Sequence, residues 1–409
     1  MMRKNSKLSS TITFILFFLS LSTLAKTNLS PLPSTKMNDY NTRSETTRYG
    51  QDEPELYIDE MNKHIGIANS NEIGSSTPVA EASVPVIDFA SFIIADNDQH
   101  NIYTDNDENS NNTLQNACMH VGFFKIKNHE VSDDIIENFR RSSREFFNEP
   151  MYVKLKARDG EHHARGYLTN ENQAAAAGRD GPPDSRERYA ISEDCQHYKT
   201  LWPPQGNPKF KSFGEAYYKE MRRIEKVLNV IISRALLKVT KRTDLVDDNW
   251  LDGALGNFNG LLFSNNYAYS DNNNGKGLAA HSDFGTLTIL LPFSSGLEVI
   301  QANEWRPVTY DESEDHQFVI NVGNILERWS NGIFKSSIHR VVNASTNTTG
   351  NSKSSRQSTS YFSTGISIPN SNFLVDTVVK RGEERKFKDD ISAQDYIKRM
   401  VLGMQQVKK

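Results

Sequence analysis

Cysteine is scarce: Cys118 and Cys195 are the only two among 409 residues. A scaffold built from disulfides is therefore excluded, and whether the two form one bridge or stay free is not decided by spacing. An excess of either charge is lacking too. With 47 Lys and Arg against 51 Asp and Glu, the net charge of −4 gives no basic footprint for nucleic acid. Long apolar runs are missing except near the start, where residues 12–24 follow the basic segment Met1 to Lys7 and end in Ser22-Thr-Leu-Ala25. That run is short for a membrane span and has the layout of a signal peptide, so residues 1–25 are expected to send the chain into the secretory pathway, to be secreted or kept in the ER lumen. An uncleaved leader would instead anchor the chain in a membrane, and onward organelle targeting is the other alternative. Sequons at Asn28, Asn111, Asn343 and Asn347 are compatible with that route.

From residue 26 to 82, large apolar residues in series are again few, and Ser, Thr, Asn and charge dominate. A disordered arm is expected there. No second linker follows, so the rest is read as one unit, with a helical N-terminal region over 83–250 wrapped on a β-rich region over 251–409.

Periodicity supports that division. Ser132 is placed to cap a helix carrying Ile135, Ile136, Phe139, Phe146 and Phe147 before Pro150, and a longer helix is expected over about 213–239 with the stripe Phe213, Tyr217, Met221, Ile224, Leu228, Ile231 and Ala235. Val84 to Phe89 and Val121 to Lys127 read as strands. Beyond Leu262 come short β-runs, at 287–291, 297–300, 318–322, 338–342 and 359–363, separated by polar turns. This pattern predicts a mainly β fold with flanking helices, a sandwich or jelly roll. A closing helix is expected over 389–404.

The chemistry-bearing residues lie between Leu278 and Phe362. His281 and Asp283 stand two apart, and His339 follows far downstream. Two imidazoles and a carboxylate are the donor set of the facial triad that suits Fe(II), and they leave adjacent positions for a bidentate co-substrate and O2. A pair spaced two apart fits a strand end and the turn after it, and His339 must then come from a strand adjacent in space. Farther on, Arg356 and Ser358 place a guanidinium fork and a hydroxyl on one face of a strand, a pairing suited to gripping a carboxylate. His-x-Asp alone carries little weight; the full order of His, Asp, His and Arg-x-Ser carries the reading. His64, His100, His162, His163 and His316 lie in polar stretches and are read as solvated, and His129 as a core or turn residue.

These motifs resemble the 2-oxoglutarate/Fe(II)-dependent dioxygenases, in particular their isopenicillin N synthase-like branch. Asn321-Val-Gly-Asn324 and Ser330-Asn-Gly-Ile-Phe-Lys-Ser-Ser-Ile-His339-Arg-Val are similar to that branch, as are Val84-Pro-Val-Ile-Asp88, Gly122-Phe-Phe-Lys-Ile-Lys-Asn128-His129 and Pro183-Asp-Ser-Arg-Glu187. The likeness runs from about Val84 to the C-terminus. It implies a double-stranded β-helix core and metal ligands His281, Asp283 and His339. It also implies 2-oxoglutarate held by Arg356 and Ser358, with Tyr267 as a further contact. The activity implied is oxidation of a small-molecule substrate by O2, with succinate and CO2 as co-products, through hydroxylation, desaturation or oxidative cyclisation. Arg165 stands where the family often places a substrate-facing residue, and Arg188 and Tyr189 are further candidates. Some positions depart from the pattern: Glu130 replaces the usual Gly after Asn-His, and the interval from His339 to Arg356 is longer than usual and filled with polar residues.

Two other readings stay open at this point. One is an oxidase of the same fold that uses no 2-oxoglutarate. The other is a secreted, catalytically silent binding protein, against which the intact buried charges speak, because poised charges around an empty centre are costly. The oligomeric state is not legible in the sequence.

Overall fold

Helical and strand periodicities alternate along this chain, and the computed structural model shows how they are packed. It describes residues 53–74, 80–95, 101–103, 108–158, 165–168, 186–194, 199–204, 206, 208–255, 259–267, 276–310, 316–342, 356–366, 377–387 and 396. Helices are α1 (Glu53–Gly74), α2 (Glu108–Asn116), α3 (Asp133–Asn148), α4 (Met151–Lys154), α5 (Phe210–Thr240), α6 (Trp250–Leu255) and α7 (Asn324–Trp329). Strands are β1 (Val86–Asp88), β2 (Ile93–Ala95), β3 (Asn101–Tyr103), β4 (Phe123–Lys127), β5 (Gly166–Leu168), β6 (Arg186–Ile191) and β7 (Asn259–Tyr267). They continue with β8 (Lys276–His281), β9 (Leu287–Pro292), β10 (Leu297–Gln301), β11 (Glu304–Pro307), β12 (Phe318–Val322), β13 (His339–Val342) and β14 (Arg356–Ile366).

Helix α3 starts where expected. The Ser132 hydroxyl accepts the Asp134 amide at 3.2 Å, and Asp133 and Asp134 place negative charge at the positive end of the helix dipole. Helix α5 runs 31 residues until Lys241 adopts a left-handed conformation and donates its amide to Leu237. Along its stripe, Tyr217, Met221, Ile224, Leu228, Ile231 and Ala235 are buried. Phe139 of α3 stacks on Tyr217 at 4.8 Å, and Phe146 on Phe210 at 5.2 Å. A fully buried side chain of this size contributes about 1.5–3 kcal/mol, so this aromatic face is enough to pin both helices to the sheet behind them.

The strands form two facing sheets of a jelly roll. Eight run in the order β1-β4-β12-β9-β14-β7-β6-β5 and four in the order β11-β10-β13-β8, with β2 and β3 as a separate pair. All described pairings in the two large sheets are antiparallel except β1 with β4. The cut drawn between residues 250 and 251 falls inside α6, and β1, β4, β5 and β6 from before it share one sheet with β7, β9, β12 and β14 from after it. The region before the cut therefore supplies strands of the shared sheet as well as helices. The helices of the two regions cluster on the outer face of the shared sheet, where Tyr217 meets Thr359 at 2.7 Å and Tyr361 donates to Glu225 at 2.7 Å.

Other expectations need correction. Within the arm expected over 26–82, residues 53–74 form α1, whose Met61, Ile65 and Ala68 are buried against Trp305 and Ala280. The helical spacing of Ile58, Met61, Ile65 and Ala68 is diluted by the polar residues around it, and it is the partner sheet that buries Met61, Ile65 and Ala68. His316 is not simply solvated, because it meets Asp133 at 2.8 Å and Glu137 at 3.1 Å. His64 is exposed, and His129 is a buried turn residue that accepts the Val131 amide. Glu130, in place of Gly, takes a positive φ of 61°. Cys118 is a buried free thiol whose pKa burial pushes up. Asn111 lies within α2. The leader, the other three sequons, Cys195 and the long interval before Arg356 lie outside the described residues, as does the expected closing helix apart from Tyr396. No helix among the described residues is long and apolar enough to cross a membrane.

One backbone position fixes how the helices meet the sheet. A Cβ added at Gly260 would lie 1.8 Å from the Tyr361 hydroxyl, which is already committed to Glu225. Gly260→Ala should therefore lower unfolding stability by about 1–3 kcal/mol in a urea titration, as overpacking does. Tyr361→Phe should not rescue it, because the ring carbons Cζ and Cε2, which would lie 1.9 and 2.4 Å from that Cβ, remain.

Candidate active site

His281 is the last residue of β8, Asp283 lies in the turn after it, and His339 opens β13, directly opposite His281 across an antiparallel pair. The spacing of two thus becomes convergence. His281 Nε2 lies 3.6 Å from Asp283 Oδ1, His339 Nε2 lies 3.9 Å from Asp283 Oδ2, and the imidazole centroids are 4.3 Å apart. One ligand atom from each side chain falls within 4.8 Å of the others, and no other such group of His, Cys, Asp and Glu occurs among the described residues.

The backbone orients both rings. His281 Nδ1 faces the Ala279 carbonyl at 2.8 Å and His339 Nδ1 faces the Ser337 carbonyl at 3.1 Å, each two residues upstream. A ring nitrogen held against a carbonyl carries the proton, so both Nε2 lone pairs are left aimed at the centre. Burial, then the neighbouring His339, lowers the His281 pKa to about 4, so its imidazole is neutral and ready to ligate near pH 7. Asp283 responds oppositely: burial would raise its pKa, but the two imidazoles and hydrogen bonds from Thr288 and Asn321 hold it below the usual carboxylate value.

The Asp283 carboxylate is gripped from one side. Thr288 Oγ1 donates to its Oδ2 at 2.6 Å and Asn321 Nδ2 at 2.8 Å, which leaves Oδ1 turned to His281. The motif Asn321-Val-Gly-Asn324 acquires a physical account here. Asn324 donates its amide to the Asp283 carbonyl at 2.8 Å, and its side-chain oxygen accepts from Ser282 and Ser336. Gly323 lies so close that a Cβ there would be 2.2 Å from the Gly285 carbonyl oxygen. Asn321→Ala should therefore weaken metal binding about 10–100-fold with little change in fold, measurable by Co(II) titration.

Arg356 opens β14, facing the same lumen. It is buried, its Nε donates to the Ser295 carbonyl at 3.0 Å, and its guanidinium lies 5.0 Å from the Tyr267 ring centroid. Burial lowers its pKa while contact with Tyr267 opposes that fall. Its Nη1 is buried with no hydrogen-bond partner among the described residues. Ser358, two residues along on the same face, is 2% exposed. A buried cation with an unused donor beside a hydroxyl is a socket for a carboxylate.

The register across the large sheet places the remaining candidates. Arg186 stands opposite Tyr267, and Tyr267 opposite Arg356; Arg188 stands opposite Asn265, and Asn265 opposite Ser358. Cross-strand partners share a face, so Arg186 and Arg188 line the lumen with Tyr267 and Arg356. Arg188 lies 4.7 Å from the Phe263 ring centroid, and the charge of Arg186 reaches His281, further lowering its pKa. Tyr189, next after Arg188 on β6, points the other way. It is 0% exposed, packs on Phe146 and Phe210, and donates its hydroxyl to the Leu201 carbonyl, so it is core and not a substrate contact. Arg165 directly precedes β5 at the edge of the sheet, three strands from β14, where Gly166 is pressed against the Ala157 carbonyl. That is the setting of a strand and turn. Sequence reading missed Arg186, Thr288 and the roles of Asn321 and Asn324. Alternation with Arg188 could have found Arg186; Thr288 carries no local signal.

Comparison with known proteins agrees with the geometry. Residues 84–209 match the family described as non-haem dioxygenase in morphine synthesis N-terminal, and residues 259–364 match the 2OG-Fe(II) oxygenase superfamily. The 2-oxoglutarate-dependent dioxygenase caaD of Aspergillus niger is 30% identical, over 56% of this chain and 71% of that protein. The 2-oxoglutarate-dependent dioxygenase frbA of a Dothideomycetidae species is 29% identical, over 77% of this chain and 95% of its own length. Among solved structures, a full-length Neurospora crassa protein in complex with alpha-KG and thymine superposes with a TM-score of 0.63 at 22% identity, covering 80% of this chain and 99% of that one.

Proposed function

The chain belongs to the 2OG-Fe(II) oxygenase superfamily, and from that premise we propose that its substrate is a small metabolite bearing an anionic group, bound on the wall that β6 and β7 present beside the triad. The protein is a non-haem Fe(II)- and 2-oxoglutarate-dependent oxygenase acting on small molecules. The observation that carries this in its own residues is the convergence of His281, Asp283 and His339 beside the orphaned Nη1 of Arg356. Bound iron supplies the oxidising chemistry, coupling O2 and 2-oxoglutarate decarboxylation to substrate oxidation. His281 and His339 each offer Nε2, Asp283 offers Oδ1, and Thr288 and Asn321 keep that carboxylate from rotating. Arg356 would grip the distal carboxylate of 2-oxoglutarate, Ser358 would donate to it, and Tyr267 backs the guanidinium.

Three features support the substrate reading. Of the three ligands His281 is the most open, with 27% of its side chain exposed against 7% for Asp283 and 9% for His339, so substrate approaches from its side. Arg186 is near enough to that imidazole for its charge to act on it. Arg188 over Phe263, with Leu168 and Ala190 beside it, adds a flat cationic and apolar surface for the body of the molecule. The dioxygenase relatives from fungi are consistent with secondary metabolism, and the layout of residues 1–25 supports a secretory location; both are part of the proposal.

The test is incubation with Fe(II), 2-oxoglutarate and a panel of metabolite carboxylic acids, each paired with its methyl ester, reading succinate and product mass. Acids should stimulate succinate release above their esters, and Arg186→Gln should remove the preference. A product heavier by one oxygen means hydroxylation; one lighter by two hydrogens means desaturation or ring closure. Equal stimulation by acids and esters would overturn the anionic-substrate reading while leaving the oxygenase intact.

A further inference from the structure

Helix α1 lies on the outer face of the small sheet, behind the metal ligands. Its Met61, Ile65 and Ala68, at 4%, 4% and 0% exposure, share one face and pack on Trp305 of β11 and Ala280 of β8, with Ile300 and Ile338 at the margin. Polar contacts fix its position. Trp305 Nε1 donates to Asn69 Oδ1 at 2.8 Å, Asn71 Nδ2 donates to the Asn303 carbonyl at 2.8 Å, and Arg340 pairs with Glu72 at 2.9 Å. Arg340 also holds Glu298 at 2.6 Å and lies 4.2 Å from the Trp305 ring centroid.

Three of the residues that α1 meets are chain neighbours of the ligands. Ala280 precedes His281, Ile338 precedes His339, and Arg340 follows it. Side chains alternate across a strand, so those that point out to α1 set the backbone from which the two imidazoles point in. The carbonyls that orient the rings, of Ala279 and Ser337, belong to the same two short segments.

We propose that α1 is a positioning element for the iron site: docked, it holds His281 and His339 at ligating distance, and undocked, it lets their strands relax. The proposal rests on the iron assignment above and adds that a helix outside the barrel sets the metal affinity. A helix that merely covered apolar surface would contribute stability without acting on the ligands.

Thermodynamic reciprocity gives a test that needs no variant: if α1 strengthens metal binding, metal binding must strengthen the docking of α1 by the same factor. Hydrogen exchange is followed on the full chain, metal-free and saturated with Mn(II). Amides within residues 61–72 should exchange about tenfold or more slowly with metal bound, matching the range expected of groups that support a ligand. Unchanged exchange there, with Mn(II) demonstrably bound, would overturn the proposal; absence of Mn(II) binding would instead strike at the iron assignment itself. As a second readout, Met61→Asp with Ile65→Asp should weaken Co(II) binding about 10–100-fold and alter the Co(II) absorption spectrum. Unchanged affinity and spectrum in a variant whose α1 has become protease-sensitive would count against positioning.

Discussion

Asp283→Ala should eliminate iron binding and turnover together. The side chain supplies the one anionic ligand of the triad, and no other group of His, Cys, Asp and Glu among the described residues could hold the metal. The loss should exceed the roughly 10–100-fold cost of removing a supporting partner, leaving less than about a hundredth of parental turnover at any practical iron concentration. His339→Ala should behave alike, because its Nε2 faces the same point from the opposite strand. Folding should survive both changes, since the triad lies apart from the aromatic core around Phe210 and Tyr217. Turnover within tenfold of the parent in either variant would contradict these roles.

The second large effect concerns Arg356. Arg356→Lys replaces a planar fork with a point charge that cannot hold the Ser295 carbonyl and a carboxylate in the same geometry. Truncating one partner of a buried, hydrogen-bonded charge pair costs about 2–5 kcal/mol, so the KM for 2-oxoglutarate should rise about thirtyfold or more. Iron affinity should stay near that of the parent, because Arg356 touches none of the three ligands. A split of this kind, with KM moving and metal affinity fixed, separates a co-substrate clamp from a general loss of structure. An unchanged KM would move 2-oxoglutarate to another part of the lumen.

The sequence revealed much of the site because the requirements there are local or chemical. His281 and Asp283 two apart, and Arg356 and Ser358 two apart, each follow from strand geometry, and few chemistries need all of these with a distant His339. α5 was legible for the same kind of reason, a clean helical period over enough residues, and β12 as a short apolar run buried at every position. The misses have a different cause. Tyr189 was taken with Arg188 although neighbours on a strand point to opposite faces, so at most one of them could face the lumen. Helix α1 depends on Trp305, more than two hundred residues away, and the helical spacing of Ile58, Met61, Ile65 and Ala68 is diluted by the polar residues around it. Thr288 grips Asp283 only because β9 folds back beside the turn, a long-range fact that no spacing encodes.

The most direct test of the account is an anaerobic Fe(II) titration of the full chain and of its His339→Ala variant, with bound metal counted by elemental analysis. One iron per chain is expected in the parent and none retained in the variant. Full iron content in the variant, or none in the parent, would contradict it.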